Sequence, residues 1–272
     1  MVELAHSPQS KTKAKTHTRV LAAIPCYNTE ESIAEVVLKT LQYVDEVIVI
    51  NDGSTDNTAE IAQKAGAIIV SHTVNKGYGA AIQSCFKAAR LNDADILVII
   101  DGDGQHNPDE IPLLLNPVKN KQADLSIGSR FLPTSNASSS PSPSPETGNW
   151  KLETGNSPIP SYRRFGIKVI NFLWNFGSPT KVTDTQSGFR CYNRRMIQEL
   201  NFAETGMGAS IELLEKARWR GARLLESPIT CKYEKKNTHL NLNALIHGLK
   251  VALLVFVIRI KYILKGRFSS FH

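Results

Sequence analysis

Ile96-Leu97-Val98-Ile99-Ile100-Asp101-Gly102-Asp103-Gly104-Gln105-His106-Asn107-Pro108 decides how this chain is read. Its five leading residues are apolar and mostly β-branched, which predicts a strand buried on both faces. The strand runs into two carboxylates, Asp101 and Asp103, separated by one glycine. On a regular strand residues i and i+2 share a face, and Gly102 and Gly104 let the backbone bend so that both carboxylates converge. Two hard oxygen donors at the mouth of a sheet suit Mg²⁺ or Mn²⁺, with a substrate diphosphate completing the shell. A polar turn with a helix cap carries the same letters, so the flanking sequence has to decide.

Upstream, residues 20–24 read as a strand ending at Pro25-Cys26-Tyr27-Asn28. A helix at 33–41 follows, with Glu30 and Glu31 near its start, where the helix dipole favours acids. A second strand, 46–50, ends at Asn51-Asp52-Gly53-Ser54-Thr55-Asp56. A helix at 58–65 stops at Gly66 and feeds a strand at 67–70. Asn75-Lys76-Gly77-Tyr78-Gly79 then opens a helix running to Arg90. Downstream come a helix near 109–115, a strand at 125–127 ending at Gly128-Ser129-Arg130, and an amphipathic helix at 161–176 carrying Arg163 and Arg164. The polar turn 182–190 enters a strand, and a helix at 211–220 precedes a last strand at 223–229. Strand and helix alternate, and polar residues gather where strands end. That pattern predicts a doubly wound α/β fold with a mostly parallel sheet and ligands at the carboxyl ends of its strands. Gly77-x-Gly79 lacks the third glycine of a dinucleotide fingerprint, and the first strand carries none, which argues against a dehydrogenase.

The chain has 272 residues, 42% of them hydrophobic, enough for one large domain with appendages. Residues 1–18 read as a disordered basic tail, 19–232 as the α/β domain and 233–272 as a separate C-terminal segment. Within the domain, 133–160 holds six of the 13 prolines and a serine-rich run, so it cannot bury enough to offset its ordering entropy and reads as a mobile loop over the site. Cys26, Cys85, Cys191 and Cys231 have no metal-ligand spacing and read as reduced thiols. The net charge of +7 is concentrated late in the chain, where Lys232, Lys235, Lys236, Lys250, Arg259, Lys261, Lys265 and Arg267 face only Glu234. This suits an anionic membrane surface or a phosphate ligand better than nucleic acid. Within the apolar stretch 244–264 the longest uninterrupted apolar run, 251–258, falls far short of the ~20 residues a spanning helix needs. The stretch reads as an amphipathic helix lying on the membrane with its Lys and Arg ends snorkelling, or otherwise as a helix packed on the sheet.

Six motifs, Ala-Ile-Pro-Cys-Tyr-Asn (23–28), Asn-Asp-Gly-Ser-Thr-Asp (51–56), Asn-Lys-Gly-Tyr-Gly (75–79), Asp-Gly-Asp-Gly-Gln-His (101–106), Gly-Ser-Arg (128–130) and Asp-Thr-Gln-Ser-Gly-Phe-Arg (184–190), occur in one order. In that order they resemble the family 2 glycosyltransferases of GT-A fold, and most nearly the polyprenyl-phosphate transferases such as dolichol-phosphate mannose or glucose synthases. The resemblance implies an inverting hexosyltransferase with a nucleotide-sugar donor, a divalent metal and a polyprenyl (dolichyl) phosphate acceptor. It places Pro25, Tyr27, Asn28 and Glu30 around the donor, Asp52 on the base or ribose and Lys76 near the nucleotide. Asp101, Gly102 and Asp103 would lie at the diphosphate, with Asp101, Asp103 and, more weakly, Gln105 as metal ligands. His106 would support the metal loop. Arg130, with Arg163 or Arg164 and help from Lys232, would clamp the acceptor phosphate, since guanidinium forks match phosphate oxygens. Asp184 would orient a neighbour, touch the metal or act as base. Two departures stand out: Asn51 replaces the usual first aspartate, and Gly102 and Gly104 replace the bulkier residues of Asp-Ala-Asp-Leu in the mannose synthases.

The expected place is the cytoplasmic face of a membrane, as a peripheral protein, and moving the product across would need a separate membrane subunit. The rivals are a family 2 transferase acting on a saccharide or protein acceptor, and a nucleotide-sugar-binding membrane scaffold without turnover. A nucleotidyltransferase is disfavoured, because no glycine- and basic-rich triphosphate loop follows the first strand.

Overall fold

A computed structural model describes residues 17–133, 161–176, 178, 180–206 and 208–232, together with 253, 255–257 and 260. The side chains of 161–165 lie outside this description, as do residues 1–16 of the expected tail 1–18, the loop residues 134–160 and nearly all of the C-terminal segment.

Seven strands form one mixed sheet: β1 (Val20–Cys26), β2 (Glu46–Asn51), β3 (Ile68–Ser71), β4 (Ile96–Ile99), β5 (Leu125–Ser129), β6 (Arg190–Asn193) and β7 (Leu224–Pro228). Their order is β3-β2-β1-β4-β6-β5-β7. All neighbours are parallel except β6, which runs antiparallel to both β4 and β5. This reversal matters for the site. Arg190, the first residue of β6, pairs with Ile99 at the end of β4 and with Ile127 near the end of β5. The polar turn before β6 is thereby delivered to the edge where the parallel strands finish.

Helices cover both faces. Alternate residues of β1, β2 and β4 point to opposite sides, so Leu21, Ala23, Ile48, Leu97 and Ile99 join one core while Ala22, Ile24, Val47, Val98 and Ile100 join the other. The first core is closed by α3 (Tyr78–Leu91), α5 (Ser161–Asn175), α6 (Arg194–Glu199) and α7 (Ala209–Trp219). The second is closed by α1 (Ile33–Thr40), α2 (Thr58–Lys64) and α4 (Ile111–Lys119). All four cysteines are buried free thiols. The strands and helices expected of the α/β domain are present, whereas α6, a six-residue turn of helix after β6, lies where no helix was expected, and the helix expected at 244–264 falls almost wholly outside the described residues. Among the described residues no helix is long and apolar enough to cross a membrane. Val255 packs into the first core, while Leu253, Phe256, Val257 and Ile260 are exposed.

At the sheet edge away from the site, Asp124 ties three strands together. It accepts bonds from the backbone N, Nε and Nη2 of Arg223, from Arg195 Nη2 and from Asn193 Nδ2. The bonds from Arg223 hold its carboxyl well below the usual carboxylate range. The stabilisation it gives is therefore complete above its ordinary pKa near 3.9 and disappears as pH falls through that value and below. Asp124→Asn is expected to lower the thermal midpoint at pH 7, with the gap to wild type narrowing progressively from about pH 5 to about pH 1. A gap that stays constant over that range would rule out this role.

Candidate active site

β4 ends at Ile99, so Asp101 and Asp103 stand in the turn beyond the strand. The strand-face argument for their convergence is thus replaced by turn geometry. Gly102 N donates to the Pro25 carbonyl at 3.2 Å, and Ser32 Oγ donates to the Gly102 carbonyl at 2.8 Å. A Cβ at Gly102 would lie 2.9 Å from Cys26 Cβ and 3.1 Å from Ile33 Cδ1, which accounts for glycine in place of the alanine of the mannose synthases. Gly104 has φ +73°, a conformation that leucine adopts only under strain.

Asp103 is exposed and its Oδ1 accepts the amide of Gln105 at 3.0 Å. Asp101 lies deeper. Although 28% of its side chain faces the groove, desolvation by the surrounding protein and the neighbouring charge of Asp103 push its carboxyl up to about 7, against the opposing pull of Arg130 and Arg190. Two carboxylates crowded in this way form a donor set that a cation would relieve. His106 stands behind them. Its Nε2 is 3.9 Å from Asp101 Oδ2, its ring lies 5.6 Å from that of Phe189, and burial pushes it down to about 4, so it is neutral at pH 7. His106 pairs with Cys231 in a β-bridge, and Lys232 N donates to the Gln105 carbonyl at 2.8 Å, which brings Lys232 to this loop.

The β1 and β2 loops are fastened to each other. Asn28 Oδ1 accepts the amide of Thr55 at 2.9 Å, Glu30 Oε2 accepts that of Asn57 at 3.0 Å, and Asp56 Oδ2 accepts that of Glu30 at 3.2 Å. Asn51 accepts from the Ser54 amide and donates to Ser71 Oγ. Asp52 is buried, and its oxygens hold His72 and the amides of Lys76 and Gly77. Of the residues expected around a nucleotide, Pro25, Asn28, Glu30 and Asp52 shape the loops, while Tyr27 is exposed at the rim.

Arg130 and Asp184, both expected on sequence grounds, are joined in a buried two-pronged ion pair: Nε to Oδ2 at 2.7 Å and Nη2 to Oδ1 at 2.8 Å. Glu226 on β7 fixes the turn that carries Asp184 by accepting the amides of Thr183 and Asp184 and the hydroxyl of Thr183. Burial raises the Glu226 carboxyl above its ordinary range. Arg190 is buried and donates to the carbonyls of Thr185, Ser187 and Ser210. Arg163 and Arg164 fall on side chains outside the described residues. Sequence reasoning missed His72, Arg190 and Glu226 as parts of the site. The available signal was slight: a lone acid inside the last strand, and a histidine just past β3.

The sequence matches glycosyl transferase family 2 over residues 22–200. It is 29% identical to a UDP-N-acetylglucosamine–dolichyl-phosphate N-acetylglucosaminyltransferase of Methanococcus voltae, over 65% of this chain and 70% of that protein. It is 28% identical to a polyprenol monophosphomannose synthase of Mycolicibacterium smegmatis, over 78% of this chain and 77% of that one. Its fold superposes with a TM-score of 0.64 on glucosyl-3-phosphoglycerate synthase of Mycobacterium tuberculosis, in complex with Mn²⁺, UDP and glucosyl-3-phosphoglycerate. That match has 20% identity and covers 90% of this chain and 81% of the other. With six motifs in order, the paired carboxylates at the strand ends and the match across most of the sheet, the chain belongs to the family 2 glycosyltransferases.

Proposed function

We propose that this glycosyltransferase moves a sugar from a nucleotide-sugar donor to a polyprenyl (dolichyl) phosphate, as a peripheral protein on the cytoplasmic face of a membrane, with Mg²⁺ or Mn²⁺. The observation that carries the reading is the juxtaposition of Asp101 and Asp103 with the Arg130–Asp184 pair, all at one end of the sheet. Relatives named for dolichyl-phosphate and polyprenol chemistry support the acceptor class.

Asp101 and Asp103 would hold the metal. Among the described residues no group of three His, Cys, Asp or Glu side chains closes a protein-only site, which suits a shell completed by diphosphate oxygens and water. Bound there, a divalent ion would neutralise charge on the departing nucleoside diphosphate as a Lewis acid and template. The acceptor phosphate is already anionic near neutral pH, so it can attack the anomeric carbon in line without a strong base, inverting the centre. The protein's part is then positioning and charge management. Arg130 would meet a phosphate with a guanidinium that Asp184 already orients. Asp184, fully buried in that pair, suits orienting Arg130 better than removing a proton. Exposed Phe172 on α5 and Phe176 just past its end, with Leu253, Phe256, Val257 and Ile260, would offer apolar side chains to a membrane surface.

Glu226→Gln can keep an oxygen for the three donors that Oε1 accepts, but it sets its NH₂ against the Thr183 amide at the Oε2 position and removes the charge. It is expected to reduce transfer about tenfold while the fold persists, since a hydrogen bond to a charged group is lost. Wild-type rates at every donor and acceptor concentration would remove Glu226 from the site.

The direct test incubates the purified protein with Mg²⁺ or Mn²⁺, GDP-mannose, UDP-glucose or UDP-N-acetylhexosamines, and a short polyprenyl phosphate, reading lipid-linked sugar by mass spectrometry. One productive donor establishes the reaction. Slow donor hydrolysis with no lipid product would overturn the acceptor assignment while leaving the donor site standing, and would favour a saccharide or protein acceptor.

A further inference from the structure

Asp52, His72 and Ser84 form a continuous hydrogen-bonded line from the end of β2, past the end of β3, to the middle of α3. Asp52 Oδ1 meets His72 Nδ1 at 2.5 Å, and His72 Nε2 meets Ser84 Oγ at 2.8 Å. His72 is further fixed by its own amide, which donates to the Asn51 carbonyl at 2.9 Å. On its other side the Asp52 carboxylate accepts the amides of Lys76 and Gly77, each at 2.9 Å. Gly53 seals the arrangement, since a Cβ there would lie 2.4 Å from the Val74 carbonyl carbon and 2.5 Å from Asn75 N.

An Asp–His–Ser line invites comparison with a hydrolytic triad. Ser84 lies inside α3, where the surrounding amides are committed to the helix ladder, so no donors are free to stabilise an oxyanion beside its hydroxyl. What the line does connect is the 75–77 loop, whose Gly77 has φ +91° and whose shape depends on the two amides bonded to Asp52.

We infer that His72 is a positioning residue for donor binding: it holds the Asp52 carboxylate so that Asp52 fixes the 75–77 loop against the nucleotide. The inference rests on the reading of 75–77 as part of the donor site. Without His72 the buried carboxylate would lose its side-chain donor and its aim, and the loop amides would no longer be held in one place. Asparagine can replace the essential part of His72, because its Nδ2 stands on Cγ as histidine Nδ1 does. Leucine supplies volume and no donor.

The experiment measures binding of UDP and of GDP to the full chain with Mn²⁺ by calorimetry, together with donor KM and kcat, for wild type, His72→Leu, His72→Asn and Ser84→Ala. His72→Leu is expected to weaken nucleotide binding and raise donor KM about tenfold, the loss typical of one hydrogen bond to a charged group, with kcat within about twofold. His72→Asn should recover most of that loss. Wild-type affinity in His72→Leu, no recovery in His72→Asn, or a fall in kcat at unchanged KM would each overturn the inference and leave the donor site intact. Wild type binding neither nucleotide would overturn the donor-site reading and the inference with it. If His72→Leu does not fold, Ser84→Ala carries the test. A severalfold weaker affinity at unchanged kcat supports the line, and an unchanged affinity overturns it.

Discussion

Asp103→Asn is expected to abolish sugar transfer without lowering the thermal midpoint. Asp103 is exposed, and the bond its Oδ1 accepts from the Gln105 amide can be kept by an asparagine oxygen. Losing its charge relieves the repulsion on Asp101, whereas a divalent ion held by two carboxylates would lose half of their charge. Metal-assisted charge stabilisation is worth several kcal/mol, and each 1.36 kcal/mol is a factor of ten, so the loss should reach about a thousandfold or more. Initial rates with the donor identified by the assay above, beside a melting curve, decide it. Activity within tenfold of wild type would sink the metal assignment.

Gly188→Ala is expected to be nearly as damaging, although Gly188 bears no functional group. A Cβ there would fall 2.2 Å from Asp101 Oδ2 and 2.8 Å from its Cγ. No atom pair tolerates that approach, so either the Asp101 carboxylate swings aside or the turn entering β6 retreats from it. The first response displaces a metal ligand, and the second disturbs the turn that carries Asp184 and Arg190. We expect a loss of at least about a hundredfold, with the divalent-ion dependence moved to higher concentration, since misplacement by about 1 Å can cost that factor. Gly166→Ala is the control, because among the described residues nothing lies within 4 Å of a Cβ there. Wild-type activity in Gly188→Ala would mean that Asp101 points elsewhere in the working enzyme.

The sequence exposed those parts of the molecule whose signals are local. The apolar runs of β1, β2 and β4 could be read because both faces of the sheet are covered, and their ends could be read because polar motifs and glycines follow at once. The direction of β6 was not legible: a four-residue strand looks the same whether it pairs parallel or antiparallel, and only tertiary context inserts it between β4 and β5. Asp101 and Asp103 were found as a pair, but their convergence comes from a turn pinned by Pro25 and Ser32, which lie some seventy residues away in the chain. Arg130 and Asp184 were each legible as candidates, yet their ion pair was not, nor was the bracing of that pair by Glu226. The same holds for His72 and Asp52. Residues that act through long-range hydrogen bonds leave no periodicity and no spacing to detect.

The reversed strand also bears on how the polypeptide reaches its native state during synthesis. Strands β1 to β4 emerge first and can pair among themselves, but the free edge of β4, Ile96–Ile99, waits for Arg190–Asn193 to cover it. At a typical synthesis rate of about 5–20 residues per second, that edge stays bare for several seconds or more on every ribosome. A bare, wholly apolar strand edge is a template for pairing with another chain. Fragments ending before β6 should therefore aggregate, and nascent chains should depend on whatever shields that edge until the ninety residues between the two partners have been made.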